Sequence, residues 1–270
     1  MDTFYFGRLN YKSEYSIYDL LMYGNRFRIK DKSTQYGIFN VEVIDDKDFG
    51  VIFTGELVKY QDIKEEPVVK EDKLSTEYIK DVIQGKARFF LMNETHLIAY
   101  NPYGKIISQK MFCEAFSGVI IGADDSFEVD SIIYPINMEY KFLEYLEKMQ
   151  TLNKLTLSLT PSNPDSRDLW KEIDDDLNEM NAKSYKEEII ANDNQSLNLD
   201  EERINKIHMA EDGYGRATGE GKDEDGNDVK ISTNEEETII RKKIKKDLTA
   251  REQFFGLKKV FQSVIDRIRN

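Results

Sequence analysis

The sequence predicts an α+β fold, with mixed and mainly antiparallel sheets, flanking helices and one or two subdomains. Runs of β-branched and aromatic residues occur in pairs that are joined by short polar links, as in hairpins. Other segments carry apolar residues at helical spacing, and the two kinds of segment do not alternate regularly. Of the 270 residues, 40% are hydrophobic, which is enough for one large core or two modest ones.

The first part of the chain, residues 1–160, is predicted to contain most of the strands. We expect strands at residues 3–9, 35–44, 49–60, 127–134 and 155–159, and a hairpin at 88–100. We expect helices at residues 14–23, from Ser75 onwards, at 108–118 and at 138–149. The charged run 61–73, with one proline, predicts a surface loop. The residues expected to fill the buried face of the 35–60 hairpin are Tyr36, Ile38, Val41, Val43, Val51, Phe53 and Leu57.

The second part, residues 161–240, is predicted to begin with a helix that runs to about Asn181. Asn163 or Asp165 is a suitable N-cap, and Pro164 fits the first helical position. The apolar stripe of this helix consists of Leu169, Ile173, Leu177 and Met180. The later elements are expected at 184–191 (strand), 200–210 (helix), 213–222 (strand) and 229–233 (strand), the last two joined by a tight turn at Asp225-Gly226.

The third part, residues 241–270, is predicted to be a basic amphipathic helix. Its apolar stripe consists of Phe254, Leu257, Phe261, Val264 and Ile268, at alternating steps of three and four. This part has ten basic and three acidic residues, whereas residues 162–240 have 23 acidic and nine basic ones. Either the basic tail docks on the acidic segment of its own chain, or it contacts an external partner.

The external partner in the second case would be a protein or a nucleic acid, and a homo-oligomer is also left open. The residues expected to contact it are Arg241, Lys242, Lys243, Lys245, Lys246, Phe254, Lys258, Lys259 and Phe261.

Several features indicate a cytoplasmic protein. Cys113 is the single cysteine, so no internal disulfide can form, and its place between Phe112 and Phe116 predicts a small buried hydrophobe. The chain starts without a basic segment followed by an apolar run, so no signal peptide is expected. The longest uncharged apolar stretch, 116–123, is far shorter than the roughly 20 residues of a membrane span.

A metal-dependent nuclease is the alternative enzymatic hypothesis. Such an enzyme needs carboxylates and a lysine around one or two ions, here Mg²⁺ or Mn²⁺. Asp165 after Pro164, followed later by Glu220 and Lys222, weakly matches the Pro-Asp and Glu-x-Lys elements of restriction-type nucleases. The separation of 55 residues is longer than usual, and an N-cap plus a strand-end charge pair explains the same residues.

A second alternative is an acidic inhibitor that imitates DNA. The predicted helix at 165–181 places Asp168, Glu172, Asp175 and Glu179 on one face. A solvated face opposite the apolar stripe is the simpler explanation of these acids, because carboxylates are favoured near a helix N-terminus. The sequence predicts no metal site here, since no histidine or converging acid from another element is evident.

No catalytic signature or resident cofactor is predicted from the remaining motifs. The glycine-rich run 213–221 lacks the ending of a phosphate loop and indicates a strand packed closely against its neighbours. His96 and His208 have no identifiable nucleophile beside them, so both are expected to be packed or surface residues.

Residues 155–240 resemble an uncharacterised family of bacterial proteins that often occurs in prophages and defence islands. The resemblance rests on the segment 160–165 (TPSNPD), on Asn181-Ala182-Lys183 and on the hairpin with Gly213-Tyr214-Gly215 and Asp225-Gly226. It implies a bacterial or phage setting and no particular reaction. We therefore expect a non-enzymatic binding or regulatory protein, as a phage-defence or prophage component.

Overall fold

A computed structural model describes residues 1–23, 27–28, 34–70, 73–122, 129–162 and 171–269. It confirms the predicted α+β class with antiparallel sheets. Contacts divide the chain into two units. Unit 1 consists of Met1–Asn10, Glu94–Ala99 and Ile133–Asn270, and unit 2 of Tyr11–Asn93 and Tyr100–Ile132. The sequence boundaries expected at 160 and 240 therefore both lie inside unit 1.

The elements of the described chain follow the predicted order closely. They are β1 (Asp2–Lys12), α1 (Ile17–Tyr23), β2 (Phe27–Arg28), β3 (Thr34–Asp46), β4 (Gly50–Lys70), β5 (Lys73–Met92), β6 (Leu97–Tyr100), α2 (Gln109–Ile121), β7 (Asp130–Pro135), α3 (Lys141–Glu147), β8 (Thr151–Leu159), α4 (Lys171–Glu179), β9 (Tyr185–Ile190), α5 (Glu201–Met209), a π-helical turn (Ala210–Tyr214), β10 (Gly215–Lys222), β11 (Asp228–Ser232), β12 (Arg241–Ile244) and α6 (Ala250–Arg269).

Unit 2 is built on an antiparallel sheet with the strand order β5-β4-β3-β2. Helix α2 packs on this sheet, and Phe116 contacts Phe89 edge-on with a ring-centroid distance of 5.1 Å. The N-cap of α2 is Ser108, whose hydroxyl accepts a hydrogen bond from the backbone N–H of Met111. In α1, Ile17 and Leu20 are buried, as their helical spacing predicts.

The predictions of a loop at 61–73 and of a helix from Ser75 were wrong. Strand β4 continues to Lys70 and pairs with β5, which begins at Lys73, whereas β3 accompanies β4 only as far as Gln61. Beyond that point the hairpin is a two-stranded ribbon, and its successive residues Tyr78 and Ile79 are 67% and 45% exposed. Because both faces are exposed, the hydrophobic alternation of a half-buried strand is absent.

A β-bulge interrupts the pairing of β3 with β4. The register advances from Phe39 opposite Glu56 to Glu42 opposite Thr54, so β3 carries one extra residue at this point. An extra residue shifts the alternation of the side chains beyond it by one position. Val43, opposite Phe53, therefore lies on the same face of the sheet as Ile38, opposite Leu57. The predicted burial of Val43 was wrong, because Val43 is 46% exposed, whereas Ile44 on the other face is buried.

The second sheet of the protein lies in unit 1 and has the strand order β11-β10-β8-β9. Its inner face packs against α3, α5 and the π-helical turn in one apolar core. The fully buried residues of this core include Phe142, Leu155, Leu157, Leu159, Ile207, Met209 and Tyr214. The close packing that was predicted for the glycine-rich strand is confirmed at β10, where a Cβ on Gly215 or Gly221 would overlap a carbonyl oxygen of β8.

The C-terminal part of unit 1 differs from the single helix that was predicted. Residues Arg241–Ile244 form strand β12, which pairs antiparallel with β1, and only Ala250–Arg269 is helical. The predicted apolar stripe of α6 is confirmed, since Phe254, Leu257 and Phe261 are at most 2% exposed. Of the helices in the described part of the chain, none has the length and apolar content needed to cross a bilayer.

Candidate functional site

The predicted basic binding segment lies on an edge strand and on the helix that follows it. In unit 1 the strand order is β12-β1-β6, so β12 has β1 on one side and no strand of the described chain on the other. Lys243 lies opposite Thr3 and Ile244 opposite Asp2 in this pairing. Alternation places Lys242 on the side of the buried Ile244, and Arg241 and Lys243 on the other side.

Helix α6 packs directly against this strand. A Cβ on Gly256 would lie 2.8 Å from Cδ1 of Ile244, so the absence of a side chain at Gly256 allows a close approach. One residue earlier on the helix, Phe255 is 76% exposed. The helical repeat places Arg251 and Lys259, four residues before and after Phe255, on the same face. We call the combined surface the basic edge; its residues are Arg241, Lys242, Lys243, Lys245, Lys246, Arg251, Phe255 and Lys259.

The cations of the C-terminal part differ in whether they pair with acids of the same chain. Two arginines pair with acids of the preceding segment: Arg241 lies 3.3 Å from Glu236, and Arg267 contacts Asp212. The exposed lysines of the basic edge make no ion pair or hydrogen bond with any side chain among the described residues. These lysines are Lys242, Lys243, Lys245, Lys246 and Lys259. Intramolecular pairing therefore accounts for Arg241 and Arg267, whereas these five lysines have no charge partner among the described residues.

The two aromatic residues that were predicted to contact a partner are interior residues. Phe254 and Phe261 are 2% and 0% exposed, and Phe261 packs edge-on against Phe6 at 5.2 Å. The exposed aromatic residue of this surface is Phe255, which the sequence reasoning missed. Its position off the stripe Phe254-Leu257-Phe261 was the signal that could have identified it.

Helix α6 is held by a group of buried polar residues around the π-helical turn. Gly213 in this turn has a φ of 85°, and a Cβ there would lie 2.9 Å from Cβ of Arg8. Arg8 is fully buried, stacks over the ring of Tyr214 at 4.4 Å and donates hydrogen bonds to the backbone oxygens of Asp212 and Thr95. We call this group the buried polar centre; its other members are Asn10, Asn137, His208, Glu211, Asp212 and Arg267.

The buried polar centre connects three segments of unit 1 through specific hydrogen bonds. Besides contacting Asp212, Arg267 of α6 donates to the backbone oxygen of Asn137 at 2.8 Å. The Asn137 amide in turn donates to the backbone oxygen of Thr233 at 2.7 Å. Glu211 accepts from the backbone N–H of Phe142 and lies 3.0 Å from Nδ1 of His208. These residues fix the position of α6, and hence of the basic edge.

A π-helical turn often marks a functional site, but here its acids are enclosed. Glu211 and Asp212 are each 2% exposed, and His208 is 8% exposed with the ring of Tyr140 packed edge-on against it at 4.8 Å. The other histidine, His96, is also buried, at 6% exposure. Both histidines are thus packed residues, in agreement with the sequence prediction.

The structure places two of the three residues of the nuclease hypothesis, and Asp165 lies outside the described residues. Glu220 accepts a hydrogen bond from Lys230 at 2.6 Å across the β10–β11 hairpin, which lowers the pKa of that carboxyl. Lys222 lies 3.1 Å from Asp228. Both residues are thus engaged in cross-strand ion pairs. Among the described residues, no group of three or more metal-ligating side chains occurs.

The acidic helix is described only from Lys171 to Glu179, so Asp168 lies outside the described residues. Glu172, Asp175 and Glu179 are exposed, as a solvated face requires. Asp174 differs, because it is 5% exposed and accepts hydrogen bonds from both the backbone N–H and the hydroxyl of Ser162 at 2.5 Å. Asp174 therefore has a structural role in connecting α4 to Ser162, which follows β8.

Comparison with known proteins extends the resemblance noted in the sequence. A family described as a domain of unknown function, DUF4747, matches residues 4–265, and thus both units of the fold. Among curated proteins, none matches the chain.

Proposed function

We propose that this chain, which belongs to the DUF4747 family, is a non-enzymatic binding protein whose basic edge contacts a single-stranded nucleic acid. The observation that carries the proposal is a group of exposed lysines on β12, on the residues that follow it and on α6, beside the exposed ring of Phe255. These lysines pair with no side chain in the described part of the chain. Lysines attract phosphates, and their binding releases counterions from the nucleic acid.

Phe255 is the reason to favour a single strand over a duplex. Proteins that bind single strands combine a positively charged surface with aromatic rings on which bases stack. In a duplex the bases are already stacked on each other, and an exposed ring has no equivalent contact. Phe255 is flanked on its helix face by Arg251 and Lys259, so a base on the ring would have its phosphates near two cations.

Some of these lysines have an alternative explanation, which is that they keep the exposed edge strand β12 from pairing with the sheet of another molecule. Lysines on edge strands prevent edge-to-edge association of sheets. This explanation covers Lys242 and Lys243, which belong to β12. It does not cover Lys245 and Lys246, which follow the strand, nor Lys259 on α6.

The proposed biological setting is phage defence or prophage maintenance in bacteria. Support for it comes from the resemblance of residues 155–240 to a family that is found near such genes. A protein that senses or shields single-stranded nucleic acid fits that setting, because phage replication and recombination expose single strands.

Fluorescence anisotropy with labelled oligonucleotides tests the proposal. Single-stranded DNA and RNA of about 20 nucleotides and a duplex of the same sequence are titrated with the full chain at about 50 mM salt. The test variant carries Lys→Gln changes at positions 242, 243, 245 and 246. The control variant carries the same change at Lys12, Lys47, Lys73 and Lys105, which are equally exposed.

The proposal expects the single strands to bind more tightly than the duplex, and only the test variant to lose affinity. If both variants lost affinity equally, the binding would depend only on the net charge of the protein and not on the basic edge. If no oligonucleotide binds at low salt, the proposal is wrong, and a protein partner for the basic edge becomes the better hypothesis.

A further inference from the structure

A cavity of about 320 Å³ lies in unit 2, on strands β3, β4 and β5. Its lining residues are Phe39, Asn40, Glu56, Val58, Tyr60, Ile83 and Lys86. The pairing register brings them together in rows, with Phe39 opposite Glu56, Val58 opposite Lys86, and Tyr60 opposite Ile83. This volume is at the lower end of the range of about 300–1,000 Å³ that is typical of small-molecule sites.

The β-bulge in β3 shapes one wall of the cavity. Asn40 lies at the bulge with a φ of 54°, a left-handed conformation that asparagine tolerates better than most residues. On the facing strand, a Cβ on Gly55 would lie 3.1 Å from the backbone oxygen of Phe39 and 3.0 Å from the ring of Phe89. A side chain at position 55 would thus fit tightly against the bulge, and bulges are frequent next to active sites.

The floor and one side of the cavity are apolar. Val58 and Tyr60 are 4% and 6% exposed, and the ring of Phe39 stands edge-on to that of Tyr60 with a centroid distance of 5.9 Å. Ile83 is 53% exposed and forms part of the rim. Two aromatic rings and two aliphatic side chains provide a surface for a flat apolar group.

The polar side of the cavity carries one cation, Lys86, beside one carboxylate, Glu56. Glu56 accepts a hydrogen bond from the Asn40 amide at 3.0 Å, and its carboxylate is shared by Lys86 at 3.6 Å and by Arg88 at 3.8 Å. The 3.6 Å contact is longer than a hydrogen bond, so the donors of the Lys86 ammonium are not used by Glu56. The Lys86 ammonium makes no hydrogen bond to any described residue, so its donors are available to an anionic group of a ligand.

We propose that this cavity binds a small organic anion with a flat apolar body. The apolar body would lie on Val58 and Tyr60 beside Phe39, and the anionic group would accept a hydrogen bond from Lys86. The assignment is independent of the basic edge, because it concerns other residues of the chain and a ligand of another size.

Two matched dyes test the proposal on the full chain. One is 8-anilinonaphthalene-1-sulfonate, and the other is N-phenyl-1-naphthylamine, which has the same body without the sulfonate. Lys86→Gln removes the charge, and Val58→Phe fills the floor of the cavity. The matched control is Lys110→Gln, because Lys110 is an exposed lysine of the same unit with a carboxylate at a similar distance, 3.8 Å.

We expect the anionic dye to bind at one site per chain and Lys86→Gln to weaken it about tenfold or more, as for a lost hydrogen bond to a charged group. The neutral dye should bind Lys86→Gln as well as the wild type, and Val58→Phe should weaken both dyes. Thermal melting shows whether Val58→Phe remains folded. If Val58→Phe is unfolded, the comparison of Lys86→Gln with the wild type is sufficient to test the proposal. Failure of the anionic dye to bind, or equal affinity in the wild type and Lys86→Gln, would overturn the proposal.

Discussion

Arg267, three residues before the end of the chain, forms a buried ion pair with Asp212 of the π-helical turn. The side chains are 7% and 2% exposed, so neither charge is well solvated. Loss of one partner leaves the other as an uncompensated buried charge, which costs far more than loss of an exposed pair. The C-terminal helix is therefore an integral part of unit 1.

Replacement of Arg267 by Met should lower the free energy of unfolding by about 3–5 kcal/mol, because it breaks a buried ion pair by removing one of its two partners. The control is Arg241→Met, which removes a pair with Glu236 whose side chains are 52% and 61% exposed. That change should cost about 1 kcal/mol or less. Urea denaturation measures both losses of unfolding free energy. Equal losses would show that the buried Arg267 pair stabilises the protein no more than the exposed Arg241 pair does.

Truncation of Phe254 and of its neighbour Phe255 to alanine should affect different properties, stability in the first case and binding in the second. Phe254→Ala should cost about 3–5 kcal/mol of stability, since the ring is 2% exposed in the core. Phe255→Ala should leave stability nearly unchanged, because the ring is 76% exposed, and should weaken single-strand binding by about 1–3 kcal/mol through lost stacking. Denaturation together with anisotropy distinguishes the two. Unchanged binding by folded Phe255→Ala would remove Phe255 from the site.

The single cysteine should be unreactive in the folded protein. Burial raises the pKa of the Cys113 thiol from 9.0 to about 12, and the thiol lies 3.3 Å from the Tyr100 hydroxyl. A thiol-specific reagent at about pH 8 should therefore modify no cysteine in the native chain and one in denaturant, because the thiolate is the reactive form. Rapid modification of the native chain would contradict the burial of this thiol.

The same thiol makes stability depend on pH in the alkaline range. The unfolded chain releases the Cys113 proton near pH 9.0, whereas the folded chain retains it up to about pH 12. A pKa that is raised in the folded state contributes stability at pH values below the pKa of the unfolded chain. That contribution is lost as the pH rises towards the folded pKa. The difference in unfolding free energy between wild type and Cys113→Ala should therefore shrink as the pH rises above 9.0.

Glu187 should contribute stability at neutral pH that acid removes. Burial by itself would raise its pKa, but hydrogen bonds from Lys206 and Arg203 hold the pKa below the ordinary value of 4.5. A carboxyl pKa that is lowered in the folded state gives stability at pH values above the pKa of the unfolded chain. That stability is lost as the pH falls through the pKa of the folded state. Glu187→Gln should cost about 1–3 kcal/mol at pH 7, with the deficit shrinking below pH 4.5.

A matched control for Glu187 is the next residue on the same strand. Glu188→Gln breaks an ion pair with Lys154 in which the side chains are 43% and 31% exposed. Solvent screens such a pair, so the change should cost about 1 kcal/mol or less. A Glu187→Gln deficit that stays constant from pH 7 to pH 4 would show that packing, not charge, is responsible.

Local patterns in the sequence were sufficient for most of the fold. The stripe of α6 and the cap Ser108 before α2 follow from spacing and side-chain chemistry alone. The ribbon at the end of β4 and β5 could not be predicted, because its exposed faces lack hydrophobic alternation. Strand β12 was missed because its sequence, Arg-Lys-Lys-Ile, has one apolar residue and pairs with β1, more than 230 residues away.

The positive charges of the candidate site could be predicted from the sequence, but which of its aromatic residues is exposed could not. The basic run identified Lys242 and Lys243, but the burial of Phe254 and the exposure of Phe255 depend on which face of α6 packs inward. The buried polar centre was missed entirely, because Arg8 and Asp212 are ordinary charged residues in the sequence and meet only through the tertiary fold. The cavity of unit 2 likewise depends on a bulge that the sequence does not mark.

The salt dependence of single-strand binding tests the proposed function most directly. The logarithm of the binding constant should fall linearly with the logarithm of the salt concentration, by about 0.7 for each phosphate neutralised on a single strand. Replacement of Lys242, Lys243, Lys245 and Lys246 by Gln should reduce that slope by about 3, and the control variant should keep the wild-type slope. An unchanged slope in the test variant would show that these lysines do not contact phosphates and would contradict the proposed function.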